Sequence, residues 1–259
     1  MKPEERMPWL IRALQDEMPE YREYPIPADT DGQWNLLRSL FNVRPPESAS
    51  EEFLRIQDEL LKEITAKKGI TDCRDLKPVK RNEKIYLWRG DITTLKCDAI
   101  VNAANDQLLG CFIPCHNCID NIIHTMSGVQ LRLDCYQIMR KQGRAEKTGT
   151  AKITPGYNLP ANYVIHTVGP IVDGILLKRH KELLSDCYRS CLELASANGI
   201  KSIAFCCIST GVFRFPVQQA AEIAVDTAEK YLLNNNNIKQ IIFNVFSDGN
   251  YKIYQNLLR

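Results

Sequence analysis

The sequence predicts a three-layer α/β/α fold with a mixed, mostly parallel sheet, preceded by an N-terminal helical extension. Three observations carry that expectation. From Ile85 onward short β-rich runs alternate with helical stretches, the pattern of a parallel sheet covered on both faces. Before that point the apolar residues recur only at helical spacing. The chain of 259 residues, 44% apolar and 25% charged, can bury one large core and carry an appendage. The division falls at a helical extension of residues 1–82 and a main domain of residues 83–259.

In the extension, Met7, Leu10, Leu14 and Met18 form one stripe, Trp34, Leu37 and Phe41 a second, and Phe53, Ile56, Leu60 and Ile64 a third. The Pro-bearing segments YPIPAD and VRPPES separate the helices, and Ser48 with Glu51 three residues later reads as the start of the third. The segment has no His and no Gly-rich loop, so a structural or docking role is expected of it. IYLWRG (85–90) and DAIVNAAN (98–105) are the first strands, followed by a helical stretch from about Cys118 to Gln142. AKITPGY and NYVIHTVGP are the next strands. Leu184, Cys187, Tyr188, Cys191 and Leu194 mark one face of a helix that stops at Gly199, and SIAFCCI (202–208) is a buried strand. Pro216 opens a helix running to Leu233, and IIFNVFS (241–247) is the last strand before a short terminal helix. Ligands of such sheets sit beyond the carboxyl ends of the strands. The chemistry is therefore sought at residues 90–93, 102–121, 209–216 and 246–250.

Composition narrows the function classes. With 33 Lys+Arg against 31 Asp+Glu the net charge is +2, which supplies no field for a polyanion, so a nucleic-acid partner is not expected. The start, MKPEERMPWLIRAL, lacks the unbroken apolar run of a secretory signal, and no stretch approaches the roughly 20 apolar residues of a membrane span. A cytoplasmic protein without a membrane partner is expected. In that setting the ten cysteines read as reduced thiols or metal ligands rather than disulfides. Cys73, Cys135, Cys187 and Cys191 stand apart from any motif and read as core or incidental.

The sharpest feature is Gly110-Cys-Phe-Ile-Pro-Cys-His-Asn-Cys118, three thiols and an imidazole in one short loop. Thiolate and neutral imidazole are preferred zinc ligands, and three protein donors with one position left open is the catalytic arrangement. Cys111, His116 and Cys118 are the expected Zn2+ ligands, with Cys115 as an alternative donor that adjacency to His116 turns the other way. Asp120, Asn121 and His124 follow at the start of a helix. Asp120 reads either as a catalytic carboxylate or as a charge on the helix dipole. His124 and His166 read as hydrogen-bonded core histidines, although His124 could also orient a ligand. Ser209-Thr-Gly-Val-Phe-Arg-Phe-Pro216, between strand and helix, is either a plain turn or a diphosphate cradle in which Gly211 permits close approach. Phe246 either stacks on a base or is core.

Taken in order, Gly90-Asp-Ile-Thr93, Val101-Asn-Ala-Ala-Asn105, Ser209 to Pro216 and Val245-Phe-Ser-Asp248 resemble the macrodomain family, whose members bind ADP-ribose. The likeness spans about residues 83–259. Where the usual macrodomain has a Gly-rich first loop, this chain has the Cys/His cluster. In that departure and in its helical extension it resembles the zinc-containing macrodomains, which remove ADP-ribose from acidic side chains of proteins and are associated with class M sirtuins that attach it. The resemblance implies that Asp91 meets the adenine amino group with Ile92 beside it, and that Asn105 contacts the distal ribose. It further implies that Ser209, Thr210, Gly211, Val212 and Phe213 wrap the diphosphate, that Phe246 packs on the adenine or proximal ribose, and that Asn105 and Asp120 are catalytic. The expected partners are ADP-ribose, an ADP-ribosylated protein and a class M sirtuin. The competing expectation is a non-catalytic ADP-ribose reader in which zinc only braces the loop.

Overall fold

A computed structural model describes all of residues 1–259. The extension is three helices, α1 (Pro3–Glu17), α2 (Thr30–Val43) and α3 (Glu51–Lys68). Leu10, Ile11, Leu14, Leu37, Leu40, Phe53, Ile56 and Leu61 are all buried at their common interface, as the stripes require. The start of α3 differs from the expectation. Ser50, not Ser48, caps it by accepting from the Phe53 N–H at 3.2 Å, while the Ser48 carbonyl accepts from Arg44 at 3.2 Å. The residue directly ahead of the first helical turn is the one whose side chain reaches the free N–H groups.

The strands are β1 (Thr71–Asp72), β2 (Pro78–Val79), β3 (Asn82–Arg89), β4 (Leu95–Lys96), β5 (Ala99–Ala104), β6 (Ala151–Pro155), β7 (Tyr163–Val168), β8 (Ser202–Phe205) and β9 (Gln240–Val245). Seven of them form one sheet in the order β2-β3-β9-β8-β5-β7-β6. The five inner strands are parallel, and the antiparallel partners β2 and β6 lie at the two edges. This is the mixed, mostly parallel sheet expected. β1 pairs with β4 in a separate ladder, so residues ahead of the division at 82/83 already pair with the main domain.

The remaining helices are α4 (Ile119–Ser127), α5 (Val129–Gln142), α6 (Lys178–Ala197), α7 (Val217–Asn234) and α8 (Asp248–Leu257). The single helical stretch expected over 118–142 is thus two helices. Gly128 at φ 101° breaks it, and a Cβ there would stand 2.6 Å from the Gln57 amide and 3.0 Å from that of Asn158. Pro216 caps α7 instead of occupying its first turn. The core is fullest in the middle strands: Ile100, Val101, Ile165, Ile203, Ala204, Ile241 and Ile242 are all fully buried. No helix is long and apolar enough to cross a membrane.

Candidate active site

The carboxyl ends of β5, β8 and β9 open into a cleft of about 760 Å³, whose walls come from Ala103–Asn105, Gly110–Ile113, His116–Asp120, Ser209–Phe213, Asn244 and Phe246. Three of the four segments singled out by sequence therefore meet at one place. The fourth does not line it. Ile92 is buried, and Asp91 sits one strand over, tied to the cleft through Asn244, whose amide donates to the Gly90 carbonyl at 2.9 Å.

The Cys/His loop is shaped from both ends. At its start Gly110 has φ 79°, and a Cβ there would lie 2.8 Å from the His124 ring, so only glycine lets the loop pass so close. At its end Cys118 caps α4, its Sγ accepting from the Asn121 N–H at 3.4 Å. Between them the Cys111 Sγ, a ring nitrogen of His116 and the Cys118 Sγ all lie within 4.8 Å of one another, with Cys111 Sγ 3.5 Å from His116 Nδ1. Burial pushes the Cys118 thiol up to about 12, and the neighbouring Cys111 and Asp120 add to that rise. Such a thiol ionises at neutral pH only when a cation offsets the charge. Cys115 faces the other way, at φ 52°, with its Sγ 3.3 Å from both the Ser39 hydroxyl and the Asn35 carbonyl of α2.

Asp120, the second residue of α4, is only 5% exposed although it forms part of the cleft wall. Asn102 Nδ2 donates to its Oδ1 at 2.8 Å, and Asn105 Nδ2 approaches its Oδ2 at 3.4 Å. Burial raises its pKa to about 6, against the pull of the Asn102 hydrogen bond and the Arg132 charge. A group poised there can exchange a proton near neutrality. Asn105 also donates to the Gly110 carbonyl at 3.0 Å, so one amide joins the end of β5, the metal-type loop and the carboxylate.

Beneath the carboxylate lies a buried layer of His124, Cys135 and His166. Asn102 Nδ2 also donates to His166 Nδ1 at 3.2 Å, which leaves Nε2 to carry the proton toward Thr154 Oγ1 at 2.9 Å. Burial lowers the pKa of His166 to about 3. His166 is therefore a satisfied neutral core histidine. His124 Nε2 lies 3.5 Å from Asp120 Oδ1, but burial, with His166 and Arg132 adding to it, holds His124 well below its usual pKa. The contact is thus not an ion pair between opposite charges.

The loop after β8 is a tight, partly left-handed turn. Ser209 has φ 64° and Arg214 φ 56°, and Phe215 N donates to the Ser209 carbonyl at 3.0 Å. Gly211 is not left-handed, and no protein atom lies within 4 Å of the position of its Cβ. Its smallness leaves room at the cleft wall instead of relieving backbone strain. Phe246 is 81% exposed at the cleft edge, which removes the core alternative for it. Asp91 Oδ1 accepts from the Thr93 N–H at 3.0 Å and hydroxyl at 2.6 Å, and its Oδ2 pairs with Lys68 of α3 at 3.0 Å. Burial opposes its ionisation, yet the Thr93 hydroxyl and Lys68 keep its pKa below the usual carboxylate value.

Sequence reasoning missed Asn102, Asn244 and Arg38. Asn102 stood inside the quoted Val101–Asn105 motif, where a polar residue within an apolar strand was the available signal. Arg38 carried none, since its partners lie about eighty positions away.

The Macro domain family model matches residues 101–224. The chain is 58% identical over 260 residues to a protein-ADP-ribose hydrolase of Treponema medium, with 100% of both chains covered. It is 40% identical to a Fusarium oxysporum f. sp. cubense protein named "Probable bifunctional ADP-ribose hydrolase/ADP-ribosyltransferase", covering 94% of this chain and 44% of that one. Among solved structures it is similar to the Trypanosoma brucei macrodomain in complex with ADP-ribose, with a TM-score of 0.67, 31% identity, and 86% and 95% of the two chains covered.

Proposed function

Because the chain belongs to the macrodomain family, we propose that it is a zinc-dependent protein-ADP-ribose hydrolase that removes mono-ADP-ribose from modified Glu and Asp side chains. Hydrolysis of a protein-ADP-ribose linkage is the activity in the name of the relative that matches it end to end. One observation carries the finer reading: Cys111, His116 and Cys118 bring three donors together on the wall that also holds Asn105 and Asp120.

The donors fit zinc. Two sulfurs and a nitrogen within 4.8 Å of one another suit a small borderline-soft cation. Cys111 Sγ, His116 Nδ1 and Cys118 Sγ would hold it. When bound, zinc supplies Lewis-acid polarisation of an oxygen or a water whose pKa falls toward roughly 7. The chain's own residues do the rest. The Ser209–Phe213 turn presents backbone to the diphosphate, Phe246 offers its exposed ring to the adenosine end, and Asp91 lies beyond it to accept from the adenine amino group. Asn105 orients the distal ribose. Asp120 takes a proton from the attacking water as the water oxygen bonds to the anomeric carbon of the distal ribose and the bond from that carbon to the side-chain carboxyl oxygen breaks. The departing carboxyl oxygen is protonated in turn, giving ADP-ribose and the free side chain.

A reader module with a structural zinc needs a fourth protein donor. Its best candidate, Cys115, directs its thiol to Ser39 and Asn35, which favours the enzyme. The Fusarium relative is named a probable bifunctional ADP-ribose hydrolase/ADP-ribosyltransferase, which supports pairing this hydrolase with an ADP-ribosyltransferase; that the transferase is a class M sirtuin is part of the proposal and rests on the family resemblance. The same proposal takes the protein to be cytoplasmic, a compartment in which cysteine ligands stay reduced.

The test is to present proteins ADP-ribosylated on Glu/Asp, on Ser or on Arg, with and without a strong chelator, and to follow free ADP-ribose. Release from the acidic linkage is expected, lost on chelation and restored by zinc. Full turnover in metal-free protein, or release from Arg alone, sinks the proposal.

A further inference from the structure

We propose that the N-terminal extension is part of the metal centre, with Arg38 of α2 as the positioning residue that holds the Cys/His loop in its ligating shape. The inference rests on the zinc reading above and adds to it a residue outside the loop.

Arg38 Nη2 donates to the His116 carbonyl at 2.8 Å and to Asn121 Oδ1 at 2.9 Å. Asn121 is fully buried and passes the grip on. Its Nδ2 donates to the carbonyls of Cys111 at 3.3 Å and Ile113 at 3.0 Å, and its backbone N–H meets the Cys118 Sγ at 3.4 Å. One guanidinium, with the side-chain amide and backbone N–H of the one residue it holds, thus reaches the backbone or side chain of all three donors. One turn further along α2, Asn42 Oδ1 accepts from the Cys115 N–H at 2.9 Å. Together with the Ser39 and Asn35 contacts to the Cys115 thiol, this bond fixes the odd cysteine away from the donor set.

A loop of this kind, free to move, would sample many shapes and bind metal only in the fraction that gathers its donors. Hydrogen bonds from a guanidinium are charge-assisted and directional, so they select one shape. Both acceptors meet one nitrogen, Nη2, so a lysine ammonium, compact and strongly hydrated, keeps part of this grip and loses part of it.

The test compares full-length wild type with Arg38→Met and Arg38→Lys. Zinc affinity is measured by competition with a chromophoric chelator, and the melting temperature and helix content are measured without metal. Loss of a partner that orients ligands costs about 10–100-fold in metal affinity. Arg38→Met should show that loss while its metal-free melting temperature stays within a few degrees of wild type, and Arg38→Lys should fall between. The cobalt-substituted Met variant should also show a weakened thiolate-to-metal absorption band. Should Arg38→Met fail to fold, the Lys variant decides by the same comparison. Wild-type affinity in the variant, or an affinity loss matched by an equal loss of metal-free stability, overturns the inference. Wild-type protein that takes up no zinc overturns instead the reading beneath it.

Discussion

Asp120 is held by two asparagines from one strand end, Asn102 to one oxygen and Asn105 near the other. That arrangement fixes the carboxylate in the cleft wall while burial keeps its proton exchangeable. Asp120→Ala should lower single-turnover release of ADP-ribose by about 10²- to 10⁴-fold, the range for a lost acid-base group. ADP-ribose affinity by calorimetry should change only a few-fold. A turnover loss explained wholly by weaker binding would remove the proton-transfer role. His166 gives a second prediction at this scale. Its folded pKa of about 3 lies below the ordinary 6.5, so between those values the unfolded chain binds the extra proton. The histidine's contribution is intact above pH 6.5 and erodes as pH falls toward 3, by roughly 1.4 kcal/mol per pH unit. Urea unfolding at pH 7 and pH 5 should show that slope flattened in His166→Gln. An unchanged slope would mean that His166 is charged in the folded protein. That Cys111, His116 and Cys118 come together was legible in the sequence because unusual residue types crowd into one loop, whereas Asp120 read equally as a helix-dipole charge until the family resemblance favoured a catalytic role. Asn102 was not singled out, because a polar residue inside a strand does not reveal from composition alone which face it takes.

The break between α4 and α5 has consequences beyond local geometry. Gly128 turns the chain at φ 101°, where any side chain would strike Gln57, Gln130 and Asn158. Those amides bind across the turn: Gln57 accepts from the Val129 N–H at 2.9 Å, and Asn158 donates to the Ser127 carbonyl at 3.0 Å. Gly128→Ala should destabilise by about 1–3 kcal/mol, since the positive φ and the lost amide contacts act together. The measurement is the urea midpoint at unchanged slope. Wild-type stability would show that the turn can relax. Periodicity saw one helix here because the apolar spacing continues through the glycine, and a lone glycine in a helical pattern is weak evidence of a stop. The same limit moved the start of α3 by two residues: Ser48 and Ser50 are alike in type, and only three-dimensional placement decides which hydroxyl reaches the free N–H groups.

Across the whole molecule the extension and the main domain share their interior. Val129 of α5 packs into the helical core of the extension, and Trp34 and Ile64 touch both cores. Polar ties cross the same boundary. Arg132 of α5, its pKa lowered to about 10 by burial, donates from Nη1 to the Phe41 carbonyl at 3.1 Å and also to that of Arg44. Lys68 of α3 pairs with Asp91. This integration was hidden in the sequence. The stripes of α1 to α3 say that each helix buries a face, yet they do not say whose surface completes the burial. Separating the two parts would expose Val129, Trp34 and Ile64 and break the hydrogen bonds from Arg132 to the Phe41 and Arg44 carbonyls, so the apolar burial that both parts share is lost together. The extension should therefore not melt ahead of the rest. Scanning calorimetry of the metal-free chain is expected to give one transition with equal calorimetric and van't Hoff enthalpies. A resolved early transition, removed by deleting residues 1–69, would make the extension a separate folding unit. That outcome would also deprive the Cys111–Cys118 loop of a fixed brace on its outer side, because α2 could then leave while the sheet stayed folded.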